Sequence, residues 1–231
     1  MIYPSSEVIS CKLVVYFFLQ KRQELISFLQ NIKEMKSRES LLDTQCILDL
    51  WYFSKLAQQR DEFKPSDSFL RSVVKDIKKS CEKGIPEDCV FSYIYMRCLG
   101  ECGYDVSSLQ AHFNHIKQVA HRDMECYGYY LTHVIFYDLK FGLERGNDYN
   151  REPLNELVKL CETYPEIIKS RYCDLLAEIM LAFTLCNFRE EDLCCKIEQI
   201  IENYHNISDY HTNSVIEVYS QLKKREQKDA K

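Results

Sequence analysis

Glycine and proline are scarce in this chain, six and five in 231 residues, and they stand where helices would begin or end. Glycine tolerates the left-handed backbone that closes a helix, and proline suits a first turn whose N–H needs no partner. Ser66 and Asp67 after Pro65 read as a helix start, Gly84 as a stop, and Pro86 with Glu87 and Asp88 as another start with acids on the positive end of the helix dipole. Gly100 and Gly103 close that helix, Ser107 and Ser108 open the next, Gly142 and Gly146 end another, and Pro153 and Pro165 open two more. This punctuation predicts about ten helices: 5 to 35, 40 to 61, 67 to 83, 86 to 99, 107 to 120, 122 to 142, 151 to 163, 165 to 187, 189 to 204 and 208 to 227. The first is long enough to be two.

The links between these helices are short, so neighbours should run antiparallel and the fold class is all-α: helical hairpins stacked into a superhelix or curled into an α/α toroid. No residue signature recurs at a period of about 34 to 45. Leu13 to Leu19 has strong β preference in Val14 to Phe18, but no second segment offers it a partner strand, and helix is expected there. One helical domain over 1–222 followed by a charged, fraying tail over 223–231 is the simplest division.

With 46% hydrophobic residues the chain can bury a large core. The formal net charge is -5, with both signs interspersed and no basic stripe, which argues against nucleic acid or an anionic membrane as partner. The apolar run near the start covers only Leu13 to Leu19, and it lacks the basic flank and small-residue cleavage site of a signal peptide. A cytoplasmic protein is expected. Twelve cysteines are scattered at core-like positions, which fits reduced thiols acting as small hydrophobes better than a disulfide framework.

Chemistry concentrates in Cys126 to Gly142, CYGYYLTHVIFYDLKFG. At roughly 100° per residue, Cys126, Tyr130, His133 and Tyr137 share a narrow stripe, while Leu131, Val134, Ile135, Phe136 and Leu139 make the rest of the helix apolar. Cys126 and His133 lie two turns apart, about 10 Å along the axis, which is too far for a direct thiolate–imidazolium pair. His133, flanked by phenols one turn to either side, is the natural acid or base.

A second constellation is Asp174 and Glu178, one turn apart in an apolar stretch, where an inward-facing carboxylate pair can hold a metal or act as acid. The bland reading is a solvent stripe with Arg171 as salt partner. A weak zinc alternative is Cys98, Cys102, His112 and His115, whose residue types suit zinc but whose spacing is short of the usual pattern; His121 is a substitute ligand. No metal is otherwise expected, and the cofactor is unknown. Glu190, Glu191 and Asp192 read as a helix start.

Residues 127 to 142 resemble the signature of an uncharacterised all-helical bacterial family in which a Tyr, a Thr-His pair and a Phe-Tyr pair precede Asp-Phe-Gly. The matching positions are Tyr130, Thr132, His133, Phe136, Tyr137, Phe141 and Gly142. The family's Asp falls on Lys140, and the nearest Asp here is Asp138. The resemblance implies a role in specialised small-molecule or peptide biosynthesis. The expectation is therefore an enzyme using His133 as general acid or base, with Tyr130 and Tyr137 orienting it and Cys126 beside them. Thr132, Phe136, Asp138, Asp174 and Glu178 would contact a small-molecule or peptide substrate. The alternative is a non-catalytic helical module that binds a partner protein or carrier. No glycine-rich phosphate loop, Gly-x-Ser-x-Gly or His-Glu-x-x-His motif is present.

Overall fold

The computed structural model describes residues 5–33, 42–58, 63–144, 151–204 and 209–229. Among these residues the structure is eleven α-helices with short 3-10 turns and no strand, so the fold is all-α and the β-prone run from Leu13 is the end of a helix. Contacts gather into two compact units, Met1–Arg122 and Asp123–Lys231.

The first unit contains α1 (Ser6–Phe18), α2 (Arg22–Lys33), α3 (Thr44–Leu56), α4 (Asp67–Lys83), α5 (Pro86–Glu101) and α6 (His112–Ala120). The long first helix does divide, at Gln20, whose φ of 53° cannot continue a right-handed helix. The predicted ends of the next helix, at 40 and 61, lie outside the described residues. Caps are where the sequence placed them. Ser66 accepts from the Phe69 N–H, Gly84 closes α4 with φ 63°, and Pro86 sits in the first turn of α5. Asp43 caps α3 by accepting from the Cys46 N–H at 2.8 Å. α1 packs on α3, α3 on α5, and α5 on α4 and α6, around fully buried Ile9, Leu13, Leu48, Leu70 and Leu99.

The second unit contains α7 (Met124–Asp138), α8 (Glu152–Thr163), α9 (Cys173–Leu185), α10 (Glu191–Glu202) and α11 (Tyr210–Asp229). α9 packs against the other four, and eleven of its thirteen residues are buried, as an apolar helix at the centre of a bundle should be. It starts later than the sequence indicates: Pro165–Ile167 and Ser170–Tyr172 are separate 3-10 turns, with Lys169 extended between them. α7 ends early too, since Lys140 and Phe141 take left-handed φ values of 44° and 52° ahead of Gly142. α11 continues through the charged segment from 223 to Asp229, and Lys223 Nζ donates to Glu198 at 2.6 Å. Gly128 lets α7 come close to α9, because a Cβ there would stand 2.8 Å from Leu175 Cδ2.

All twelve cysteines are free thiols and eight are buried. Burial pushes Cys46, Cys161 and Cys186 up to about 12, so these are inert packing groups rather than nucleophiles. No helix among the described residues is long and apolar enough to cross a membrane.

Candidate functional site

Within the second unit, α7, α9 and α11 bring together two carboxylates, two imidazoles and three hydroxyls. α7 contributes Tyr129, Thr132 and His133, which share a face through the i, i+3 and i, i+4 spacings. α9 contributes Asp174 and Glu178, one turn apart. His211 and Thr212 come from the first turn of α11, which is fixed by Asp209: its Oδ1 accepts from the Thr212 N–H at 3.0 Å in the manner of an N-cap.

Asp174 is the hub. Its Oδ2 accepts from the Tyr129 hydroxyl at 2.7 Å, and its Oδ1 accepts from His211 Nδ1 at 2.8 Å and from the Thr212 hydroxyl at 3.0 Å. Thr212 also lies 2.7 Å from Asp209 Oδ2, which accepts from the Tyr204 hydroxyl at 2.6 Å as well. Thr212 has one hydroxyl proton, so it serves one carboxylate at a time. Burial pushes the Asp174 carboxyl up, but the hydrogen bond and charge of His211, with the Tyr129 and Thr212 hydroxyls, outweigh it and hold the group below the usual carboxylate range.

Glu178 is nearly sealed, at 3% exposure. Its Oε2 lies 2.6 Å from Thr132 Oγ1 and 3.6 Å from His133 Nδ1, and its Oε1 lies 4.0 Å from His211 Nε2. Burial raises its pKa, and the Asp174 charge adds to this against the opposing imidazoles of His133 and His211 and the Thr132 hydroxyl. Thr132 Oγ1 is also 3.0 Å from the Tyr129 carbonyl. A protonated Glu178 therefore donates a hydrogen bond to the Thr132 hydroxyl, which donates its own to the Tyr129 carbonyl; an ionised Glu178 turns the Thr132 hydroxyl towards itself.

The two imidazoles differ. His133 Nδ1 stands 2.8 Å from the Tyr129 carbonyl, which can only accept, so Nδ1 carries the proton and Nε2 keeps its lone pair when the ring is neutral. The His133 side chain is 19% exposed. His211 is half exposed. Burial would lower its pKa, but the hydrogen bond and charge of Asp174, followed by Glu178 and Asp209, outweigh that and push it up to about 9. Tyr129 is pushed above the ordinary phenol by burial and by the Asp174 and Glu178 charges, so it stays a donor.

The expected stripe is thus only partly the site. His133 and Thr132 belong to it, and so do Asp174 and Glu178, which face inward rather than solvent. Tyr130 instead stacks on Tyr127, with centroids 6.2 Å apart and planes within 6°. Tyr137 is buried edge-on against Phe141 at 5.2 Å. The hydrogen-bond partner of His133 is the backbone of Tyr129, not either of these phenols, because a helical imidazole reaches the carbonyl one turn back most readily. Phe136 lies edge-on to the His133 ring at 5.7 Å and forms its apolar side. Cys126 sits in the first turn of α7 with its N–H held by the Asp123 carboxylate, and Asp138 is at the far end.

The zinc alternative does not assemble. His115 Nε2 is at 3.0 Å from the Cys81 carbonyl, while Cys98 and Cys102 are buried at the end of α5. Among the described residues, the metal-capable side chains that converge are Asp174, Glu178 and His211, with one ligand atom from each within 4.8 Å of the others.

Tyr129, His211 and Thr212 were not legible as site residues. Asp209 just ahead of Tyr210 is a residue type that caps helices, but nothing local ties α11 to Asp174. A groove of about 1050 Å³ is lined by Pro165, Ile168, Lys196, Ile200 and Tyr204 among others, and the Tyr204 hydroxyl donates to Asp209. No family model, curated protein or solved structure matches the chain.

Proposed function

We propose that this chain is an enzyme of small-molecule or peptide biosynthesis whose second unit moves protons, with His133 as the general acid or base. One observation carries the reading: a nearly sealed carboxylate, Glu178, lies between two imidazoles, one of which has its Nδ1 held by a carbonyl and so keeps the Nε2 lone pair. Glu178 sits 3.6 Å behind His133 Nδ1, where a negative charge stabilises the imidazolium formed when Nε2 takes a proton. The Tyr129 carbonyl fixes the tautomer and leaves the Nε2 lone pair to take the proton. Tyr129 and Thr132, rather than Tyr130 and Tyr137, are then the orienting groups. The resemblance of residues 127 to 142 to a family associated with specialised metabolites and modified peptides supports the substrate class.

The test is comparative metabolite profiling. Purified wild-type protein and His133→Gln are incubated with a small-molecule and peptide extract of the expressing host. The expected result is at least one compound that changes mass or abundance with wild type and not with His133→Gln, while the two melt within a few degrees of each other. An identical change with both proteins removes His133 from the chemistry. No change with either favours the non-catalytic helical module.

A further inference from the structure

Glu178 Oε1 poses a question that the hydrogen bonds leave open. The carboxylate is 3% exposed, yet among the described residues this oxygen accepts no hydrogen bond, and His211 Nε2 at 4.0 Å is beyond hydrogen-bond reach. The gap between this oxygen and the imidazole is wide for a hydrogen bond and close to the span of two ligands on one cation. His211 is already turned for this role. Its Nδ1 is 2.8 Å from Asp174 Oδ1, so when an incoming cation displaces the Nε2 proton the ring keeps its Nδ1 proton for Asp174 and turns the Nε2 lone pair to the Glu178 side. An imidazole that donates to a carboxylate through one nitrogen while presenting the other is the arrangement metal sites use to fix a histidine ligand. Two ligands bonded at about 2.1 Å and set at a tetrahedral angle stand roughly 3.4 Å apart, so a closure of about 0.6 Å brings Oε1 and Nε2 to ligand spacing.

We propose that the second unit binds one divalent transition-metal cation between Glu178 Oε1 and His211 Nε2, with Asp174 holding His211 in place and closing the third side. The inference rests on the same site as the proton-transfer reading but does not depend on it. The mixed nitrogen and oxygen set favours manganese, iron, cobalt or zinc over calcium or magnesium, for which imidazole is a poor ligand. His133 is not a ligand in this arrangement, since it does not join Asp174, Glu178 and His211 in the set of converging ligand atoms. The remaining coordination positions would be filled by water or substrate.

Manganese is the probe of choice because the twelve free thiols compete strongly for zinc. Chelator-treated protein is titrated with Mn²⁺ and free Mn²⁺ is followed by electron paramagnetic resonance. Wild type should bind one Mn²⁺ per chain. His211→Ala and Glu178→Gln should each weaken it at least tenfold, Asp174→Asn by about 10- to 100-fold as an outer-shell partner does, and His133→Gln should leave it unchanged. His211 is half exposed, so His211→Ala should fold even if Glu178→Gln does not. The proposal is overturned if wild type binds no Mn²⁺ at millimolar concentration, or if folded His211→Ala binds it as well as wild type. The two readings fail separately: His133→Gln that keeps Mn²⁺ and loses turnover sustains both, whereas turnover that needs His133 in a protein that binds no metal removes only the cation.

Discussion

Each unit seals one carboxylate away from solvent, Asp49 on α3 in the first and Glu178 on α9 in the second, and what surrounds them is opposite in kind. Asp49 is 6% exposed, and burial raises it from 3.8 to about 7. The Ser10 hydroxyl offsets this a little, the Asp43 charge makes it worse, and no imidazole, ammonium or guanidinium contributes. Its neighbours carry the same mark: Cys46 is pushed up to about 12, first by burial and then by the Asp49 and Asp43 charges. Glu178 is more deeply buried but has two imidazoles and a hydroxyl directed at it. Buried charge by itself is a cost that the fold absorbs. Buried charge faced by proton carriers from other helices is a candidate site, and among the described residues the second unit has that arrangement.

The largest effect expected from this contrast is at Asp49. A carboxyl whose folded pKa exceeds its unfolded one binds more protons when folded, so stability falls as pH rises from about 4 to about 7 and is level above that. Asp49→Asn keeps the shape of the protonated acid and removes the penalty. It should stabilise the protein at pH 8 by up to about 4 kcal/mol, the linkage value of a shift of about three pH units, and by almost nothing at pH 4. Urea denaturation at the two pH values measures this. A loss of stability at pH 8 would mean that Asp49 has a counter-charge and that the contrast is false. The metabolite change assigned to His133 should survive this substitution.

Next in size is Asp174, the residue that makes the second unit different. Asp174→Ala removes the acceptor for three donors, Tyr129, His211 and Thr212, and leaves the His211 imidazolium without its partner. The expected cost is about 3 kcal/mol at neutral pH, the lower end for breaking a buried charged pair because Asp174 is partly exposed. Chelated protein should be used so that metal does not contribute. A cost below about 1 kcal/mol would place Asp174 with ordinary surface ion pairs.

These two sites also show what a sequence reveals. Local signals were readable because they act within one turn: the Ser66 cap, the Gly84 stop, the Pro86 start, and the Asp174–Glu178 spacing. The break at Gln20 and the early end of α7 at Asp138 were not, since non-glycine residues take the left-handed conformation there under tertiary constraint. In α7 the sequence reading takes Tyr130 for the stripe, yet Tyr129 also lies within a turn of His133 on a helix apolar on most faces. Only the packing of α9 and α11 decides it, and a single sequence carries no record of which helices meet.

The smallest effect compares one glycine from each unit. Gly100 lies near the end of α5, is exposed, and a Cβ there would meet Val106 Cγ2 at 3.5 Å, an ordinary contact. Gly100→Ala should therefore gain part of the helix-propensity difference, about 0.5 to 1 kcal/mol. Gly128 lies where α7 approaches α9, and its Cβ would stand 2.8 and 3.0 Å from the two Leu175 methyls. Leu175 is fully buried and has little room to withdraw. Overpacking of about 1 to 3 kcal/mol then exceeds the same propensity gain, so Gly128→Ala should lose about 1 kcal/mol. The sign difference, more than either size, is the test. Combining Gly128→Ala with Leu175→Ala should cost less than the sum of the single substitutions, because the added methyl fills part of the cavity left by the leucine. Additive costs would show that α7 and α9 are not in close contact at this point, and the placement of His133 and Glu178 against each other would lose its structural basis.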